Sequence, residues 1–257
     1  MSESLESNNG VDYWLMAFAF DIRFYCDFSG YSDMAIGLAS LMGIKLSKNF
    51  NFPYFATNPT DLWQRWHISL TRWLRDYIYK PIIEINNSKR IKIIALFTTL
   101  IFAGIWHGAH WKFIIWGILW ASAILIHQIL RPFINNLINN NHKKNFFLSA
   151  LGMLTTFFVW NFINSFFIAK DITNAIAITK YMALDYSHSQ RTYKDFVTVL
   201  YYTVPFLCIE TYSWRKNTDT AILNISYPIR LCIIFFIILM LIGNGAMGEN
   251  EFIYFKF

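Results

Sequence analysis

Two histidines carry the chemistry that this sequence could perform. His107 stands in Gly104-Ile-Trp-His-Gly-Ala-His-Trp111, between the end of an apolar stretch and Gly108. An imidazole at such a place marks a candidate site, because a polar group near hydrocarbon is costly to keep. His67 stands in Trp63-Gln-Arg-Trp-His-Ile-Ser-Leu70. In a partly dehydrated, tryptophan-lined site an imidazole stays neutral near pH 7 and serves as a general base. Moving an acyl group from a thioester to a hydroxyl needs such a base, with donors for the carbonyl oxygen as charge develops there. No serine or cysteine is required if the hydroxyl attacks the thioester directly. Ser69 follows His67 by two residues, so a helix would turn the two to different faces, which argues against a serine–histidine dyad. His107 and His110 could share a helix face as metal ligands, but no cysteine or carboxylate lies near to complete a set. No metal is assigned.

The elements that must position these residues follow from local signals. Residues 58–81 read as one amphipathic helix of about six turns. Asn58 suits an N-cap, Pro59 the first turn, Asp61 the positive end of the dipole, and Pro81 a stop. At 100° per residue Trp63, Trp66, Leu70, Trp73, Leu74, Tyr77 and Ile78 share an arc, and Arg65, Ser69, Arg72, Arg75 and Asp76 face away. His67 falls inside the apolar arc. There it could equally be a hydrogen-bonded core imidazole or an interfacial anchor, and the basic arc could equally bind lipid headgroups. Upstream, two apolar spans are expected on either side of Asp27-Phe-Ser-Gly-Tyr-Ser-Asp33, with a break at Gly30. Asp21, Arg23 and Asp27 are expected to form an internal polar cluster. Residues 171–194 could hold a further amphipathic helix, and residues 131–145 read as a polar, Asn-rich loop.

The composition selects lipid as the solvent. Of 257 residues 55% are hydrophobic, 19% aromatic and 15% charged, against roughly a quarter charged in soluble domains. Apolar stretches near the 20 residues of a spanning helix recur often enough to predict six or seven membrane helices, giving an all-α, polytopic fold with an added amphipathic or re-entrant helix. The net charge of +6 needs no nucleic acid. If the spans alternate, residues 48–92, 131–144 and 215–230 share one side and carry 14 of the 22 Lys and Arg, which makes that side cytoplasmic. His67 then lies toward the cytoplasm and His107 nearer the other face. Cys26, Cys208 and Cys232 show no metal or redox spacing and read as buried small residues. Residues 1–12 read as a polar tail without a signal peptide's features, and residues 13–257 as one membrane domain.

Taken in order, Asp27-Phe-Ser-Gly-Tyr-Ser-Asp-Met-Ala-Ile-Gly37, Asn49-Phe-Asn-Phe-Pro-Tyr54, Trp63 to Leu70, Trp73-Leu-Arg-Asp-Tyr-Ile-Tyr79 and Gly104 to Trp111 resemble the membrane-bound O-acyltransferase family. The likeness is greatest to the branch that contains the alginate O-acetyltransferase membrane subunit, and Phe252-Ile-Tyr-Phe-Lys-Phe257 is also similar to it. The resemblance implies an essential role for His107, with His67 on the same pore. It implies substrate-binding positions among Asp27, Ser29, Tyr31, Asp33, Trp63, Arg65, Trp66, Ser69, Arg75, Asp76, Trp106 and Gly108. It also implies no bound cofactor and an acyl thioester donor, acetyl-coenzyme A or an acyl carrier, reached from the cytoplasm. The acceptor would be a cell-surface or exported polysaccharide, often served with an extracytoplasmic partner acyltransferase, in a multi-pass protein of the bacterial cytoplasmic membrane. Similar proteins carry several spans before the first motif, so a truncated member is expected. Two rival readings are an inactive remnant or accessory membrane subunit, and a transporter with a histidine proton relay, although paired half-motifs are missing.

Overall fold

A computed structural model describes residues 9–137 and 142–244. The terminal motif at 252–257 and most of the expected tail lie outside them. The chain divides into two compact units, Met1–Asp195 and Phe196–Phe257. Every regular element among the described residues is helical.

The first helix, α1, runs unbroken over Gly10–Leu41. Asn9 caps it reciprocally with Asp12: the Asp12 N–H donates to the Asn9 side chain at 2.9 Å, and the Asn9 N–H donates to the Asp12 carboxylate at 3.3 Å. Residues 10–12, expected in the tail, therefore open the helix. The predicted break at Gly30 is absent, because the residues around it have helical neighbours on both sides and nothing demands a turn there.

The predicted six-turn helix is divided. α2 covers Pro59–Arg65 and α3 covers Ile68–Leu74, a π-turn spans Arg75–Tyr79, and α4 covers Lys80–Ile85. Asn58 caps α2 as expected, accepting from the Asp61 N–H at 2.9 Å. Pro81 does not end the run; it sits in the first turn of α4, where proline costs no hydrogen bond.

Next come α5 over Lys89–Trp106 and α6 over Trp111–Leu137. Their backbones touch at two glycines: a Cβ on Gly104 would strike the Phe113 carbonyl, and one on Gly117 the Leu100 carbonyl. Small residues at a crossing let two apolar helices approach this closely. α7 covers His142–Ile168 and α8 covers Ile172–Leu184, the latter capped by Asp171. The α7 terminus is closed by Lys112, whose ammonium donates to the carbonyls of Ala169 at 2.6 Å and Phe167 at 3.3 Å, a cation satisfying the negative end of a helix. The core joins α1, α2, α5, α6, α7 and α8 through residues such as Ala17, Leu62, Ala103, Trp116, Ile163 and Met182.

In the other unit α9, Gln190–Lys216, continues past the boundary, and α10 covers Tyr227–Asn244. Arg230 donates to the Leu223 carbonyl at 2.9 Å.

Two helices among the described residues are long and apolar enough to cross a membrane, Trp111–Asn136 and Asn145–Ile168, with a shorter apolar helix at Tyr227–Met240. Six or seven were expected. The difference lies in charge and length: α1 carries Asp12, Asp21, Arg23, Asp27 and Asp33, and α5 opens on Lys89, Arg90 and Lys92. The three cysteines are exposed, against the expectation of burial. Residues 131–137, read as loop, extend α6.

Candidate active site

The loop that carries His107 is set by α5 and α6. α5 stops at Trp106, and the His107 N–H returns to the Gly104 carbonyl at 3.0 Å. Gly108 then takes φ +150°, a conformation in which a Cβ is strained. The His110 N–H closes on the Gly108 carbonyl at 2.8 Å, and α6 begins at Trp111. This tight turn holds the His107 ring inside the molecule at 8% exposure. Trp106, Phe167 and Trp116 surround it edge-on, at ring centroid separations of 4.9, 4.8 and 5.4 Å.

His67 reaches the same place by a different device. It adopts the left-handed conformation, φ 43° and ψ 54°, between α2 and α3. That region costs a residue with a Cβ roughly 1–2 kcal/mol, and strain of this kind gathers at functional sites. Histidine provides no side-chain cap for α3; Asn49 does so from a distant segment. Its carboxamide oxygen accepts from the Ser69 N–H at 3.1 Å and the Ser69 hydroxyl at 2.7 Å, while its carbonyl accepts from the Ile68 N–H at 2.9 Å. The His67 ring packs edge-on against Phe28 at 4.7 Å and Trp106 at 5.7 Å. Trp106 thus touches both imidazoles.

Both histidines line one cavity of about 40 Å³, room for a few water-sized groups. Trp63, Trp66, Trp120 and Asn164 contribute to its walls. A second, apolar cavity of about 640 Å³ is bounded by His67, Ser69, Leu70, Trp73 and Trp106, among others. The two share His67 and Leu70. Both imidazoles lie in helix breaks outside the two long apolar spans. Burial lowers His67 from 6.5 to about 4; burial, and then the charge of His67, lowers His107 to about 3. Both are therefore neutral bases at pH 7.

Not every expected site residue comes here. Asp27, Ser29, Tyr31 and Asp33 occupy the far part of α1, with Tyr31 and Asp33 exposed, and none lines either cavity. Arg65 pairs with Asp61 at 2.7 Å. Asp76 lies between Arg75 at 3.0 Å and Lys80 at 2.8 Å on an exposed face; hydrogen bonds from those cations hold its carboxyl down at about 2. Gly108 acts through its backbone. His110 is exposed, and no group of three metal-ligating side chains gathers among the described residues. The expected cluster of Asp21, Arg23 and Asp27 does not form: Asp21 is fully buried and accepts from the Asn164 amide at 2.7 Å, while Arg23 is exposed.

Sequence reasoning missed Trp116, Trp120, Trp160, Asn164 and Phe167, all on the cavity wall. Asn161 and Asn164 in the apolar α7 were the available signal, since polar side chains inside an apolar span are kept for a reason.

Residues 9–169 match the profile of "MBOAT, membrane-bound O-acyltransferase family". The chain is 36% identical over 179 residues to the "Peptidoglycan O-acetyltransferase" of Helicobacter pylori, covering 67% of this chain and 32% of that protein. It is 45% identical over 120 residues to the "Probable alginate O-acetylase AlgI" of Azotobacter vinelandii, covering 47% of this chain and 24% of the relative. It is 34% identical over 153 residues to the "Teichoic acid D-alanyltransferase" of Bacillus subtilis, covering 56% and 38%. The chain thus spans about a quarter to two fifths of these relatives' lengths. With the matched segment carrying both cavity-lining histidines and most of the chain's length, the protein belongs to the membrane-bound O-acyltransferase family.

Proposed function

We propose that the protein is a membrane O-acyltransferase that moves an acetyl group from a thioester donor to hydroxyls of a cell-surface or exported polysaccharide. The observation that carries this reading is the meeting of His67 and His107 at one small aromatic cavity. His107 is the general base. Its neutral ring takes the proton of an acceptor hydroxyl as that oxygen attacks the thioester carbonyl. The new C–O bond forms, the C–S bond breaks, and the departing thiolate recovers the proton from the imidazolium. His67 lies where the small cavity meets the large apolar one, which is wide enough to admit the arm of a coenzyme or carrier. Its place on that boundary suits guiding the donor.

Relatives named for acyl transfer to alginate, peptidoglycan and teichoic acid support a polysaccharide acceptor. The basic residues on the expected cytoplasmic side support a donor entering from the cytoplasm and a multi-pass arrangement in the bacterial cytoplasmic membrane; an extracytoplasmic partner acyltransferase is proposed from the family resemblance alone. Asp27, Ser29, Tyr31, Asp33, Arg65, Arg75 and Asp76 would then contact carrier, partner or glycan at the protein surface.

The test is chemical. Expressing the full chain in a bacterial host that lacks its own glycan O-acetylation should add alkali-labile acetate to its isolated surface polysaccharide. Polysaccharide without added acetate, from cells whose membranes hold the intact chain, would reject the reading.

A further inference from the structure

The small cavity is walled in part by three tryptophans, Trp63 of α2 and Trp116 and Trp120 of α6. Their indole N–H groups are in different situations. The Trp116 N–H donates to the Asn164 side-chain oxygen at 2.9 Å, and the Asn164 amide in turn donates to the buried Asp21 carboxylate at 2.7 Å. This chain fixes the Asn164 orientation, because the reverse would set the amide N–H against the indole N–H, two donors face to face. Trp116 is thereby committed to the frame. The Nε1 atoms of Trp63 and Trp120 are buried yet have no acceptor among the described residues. The two rings stand perpendicular, 5.8 Å apart between centroids.

A buried donor without a partner is costly, and a native one calls for an explanation. An indole nitrogen only donates, so whatever satisfies this pair must offer an oxygen acceptor. Around it the walls are aromatic, and the bases stand close by: Trp116 packs against His107 at 5.4 Å and against Trp63 at 5.9 Å. We infer that the Trp63 and Trp120 indole N–H groups form a donor pair that holds the acyl carbonyl oxygen of the thioester. The inference rests on the acyltransferase reading and deepens it. Donors in place before the reaction strengthen as the carbonyl oxygen gains charge, the condition for stabilising the transition state rather than the substrate alone. Trp120 thereby joins the residues that touch substrate, and Trp63 gains a defined role.

The experiment measures binding, so it does not depend on turnover. The full chain, purified in detergent with 15N-labelled tryptophan, is titrated with S-acetonyl-coenzyme A, which carries a ketone, and with S-propyl-coenzyme A, which has the same chain length and no carbonyl. The expected result is a downfield shift of the Trp63 and Trp120 indole protons with the ketone alone. Trp63→Phe and Trp120→Phe keep an aromatic ring and delete the donor; each should weaken ketone binding roughly tenfold more than binding of the saturated compound. Equal binding of both compounds by the wild-type protein, or indole signals that do not respond to the ketone, would overturn the donor pair and leave the acyltransferase reading standing. Failure of both compounds to bind would overturn coenzyme A as the donor in that reading, and the pair with it.

Discussion

The two parts of α1 treat Asp21 and Asp33 in opposite ways. Between Gly10 and Phe28 the helix is packed against α7 and α8: Asp21 is fully buried and tied to Asn164, and Trp14 donates its indole N–H to the Met182 carbonyl at 2.9 Å. Beyond Phe28 the same helix exposes Tyr31, Asp33, Met34 and Leu38. The contrast teaches that a polar residue's fate is decided by what packs on it. Asp27 to Asp33 is the more recognisable motif, yet it is Asp21, outside any motif, that connects with the cavity wall.

Breaking the buried side should have the largest effect. Asn164→Ala strands the Asp21 carboxyl and the Trp116 N–H, and about 3 kcal/mol of stability should be lost, seen as a lower thermal unfolding midpoint in detergent. An unchanged midpoint would show that the network contributes nothing. Gly104→Ala comes next, at about 1–3 kcal/mol, because the added methyl meets the Phe113 backbone and must push α5 from α6. Wild-type stability at this close contact would mean that the helices cross differently.

His67 and His107 titrate lower folded than unfolded, so the unfolded chain binds more protons as pH falls. Their contribution is complete above about 6.5 and should decline as pH drops toward about 4. A pH series of unfolding midpoints reads this, and a flat profile through that window would place both rings in water. The smallest effect is expected on the exposed side: Arg75→Ala breaks only the exposed pair with Asp76 and should leave the midpoint nearly unchanged, and a clear drop would show that this surface pair is held more tightly than its exposure allows.

Much of the site could be read from residue order. His107 at a glycine break, His67 among tryptophans, the Asn58 cap and the amphipathic helix near residues 171–194 all follow from local signals, and all recur in the structure. The division of the 58–81 helix did not. Its apolar arc is continuous through His67, and the left-handed turn is held by Asn49, a partner outside any local window. Pro81 reads as a stop or a first-turn residue by the same rule, and only the π-turn before it decides. The span count was too high because the charges embedded in α1 and at the start of α5 outweigh the apolar content around them. Asp21 and Asn164 lie 143 residues apart, so no periodicity could pair them.

In the proposed reaction the sheltered His107 imidazole removes the acceptor's proton. The direct measurement is transfer of radiolabelled acetate from acetyl-coenzyme A to polysaccharide by membranes holding equal amounts of wild-type protein and His107→Ala. Loss of transfer by about 10²–10⁴-fold, the usual contribution of a general base, with the chain still inserted, is the predicted result; label arriving at the wild-type rate would contradict it.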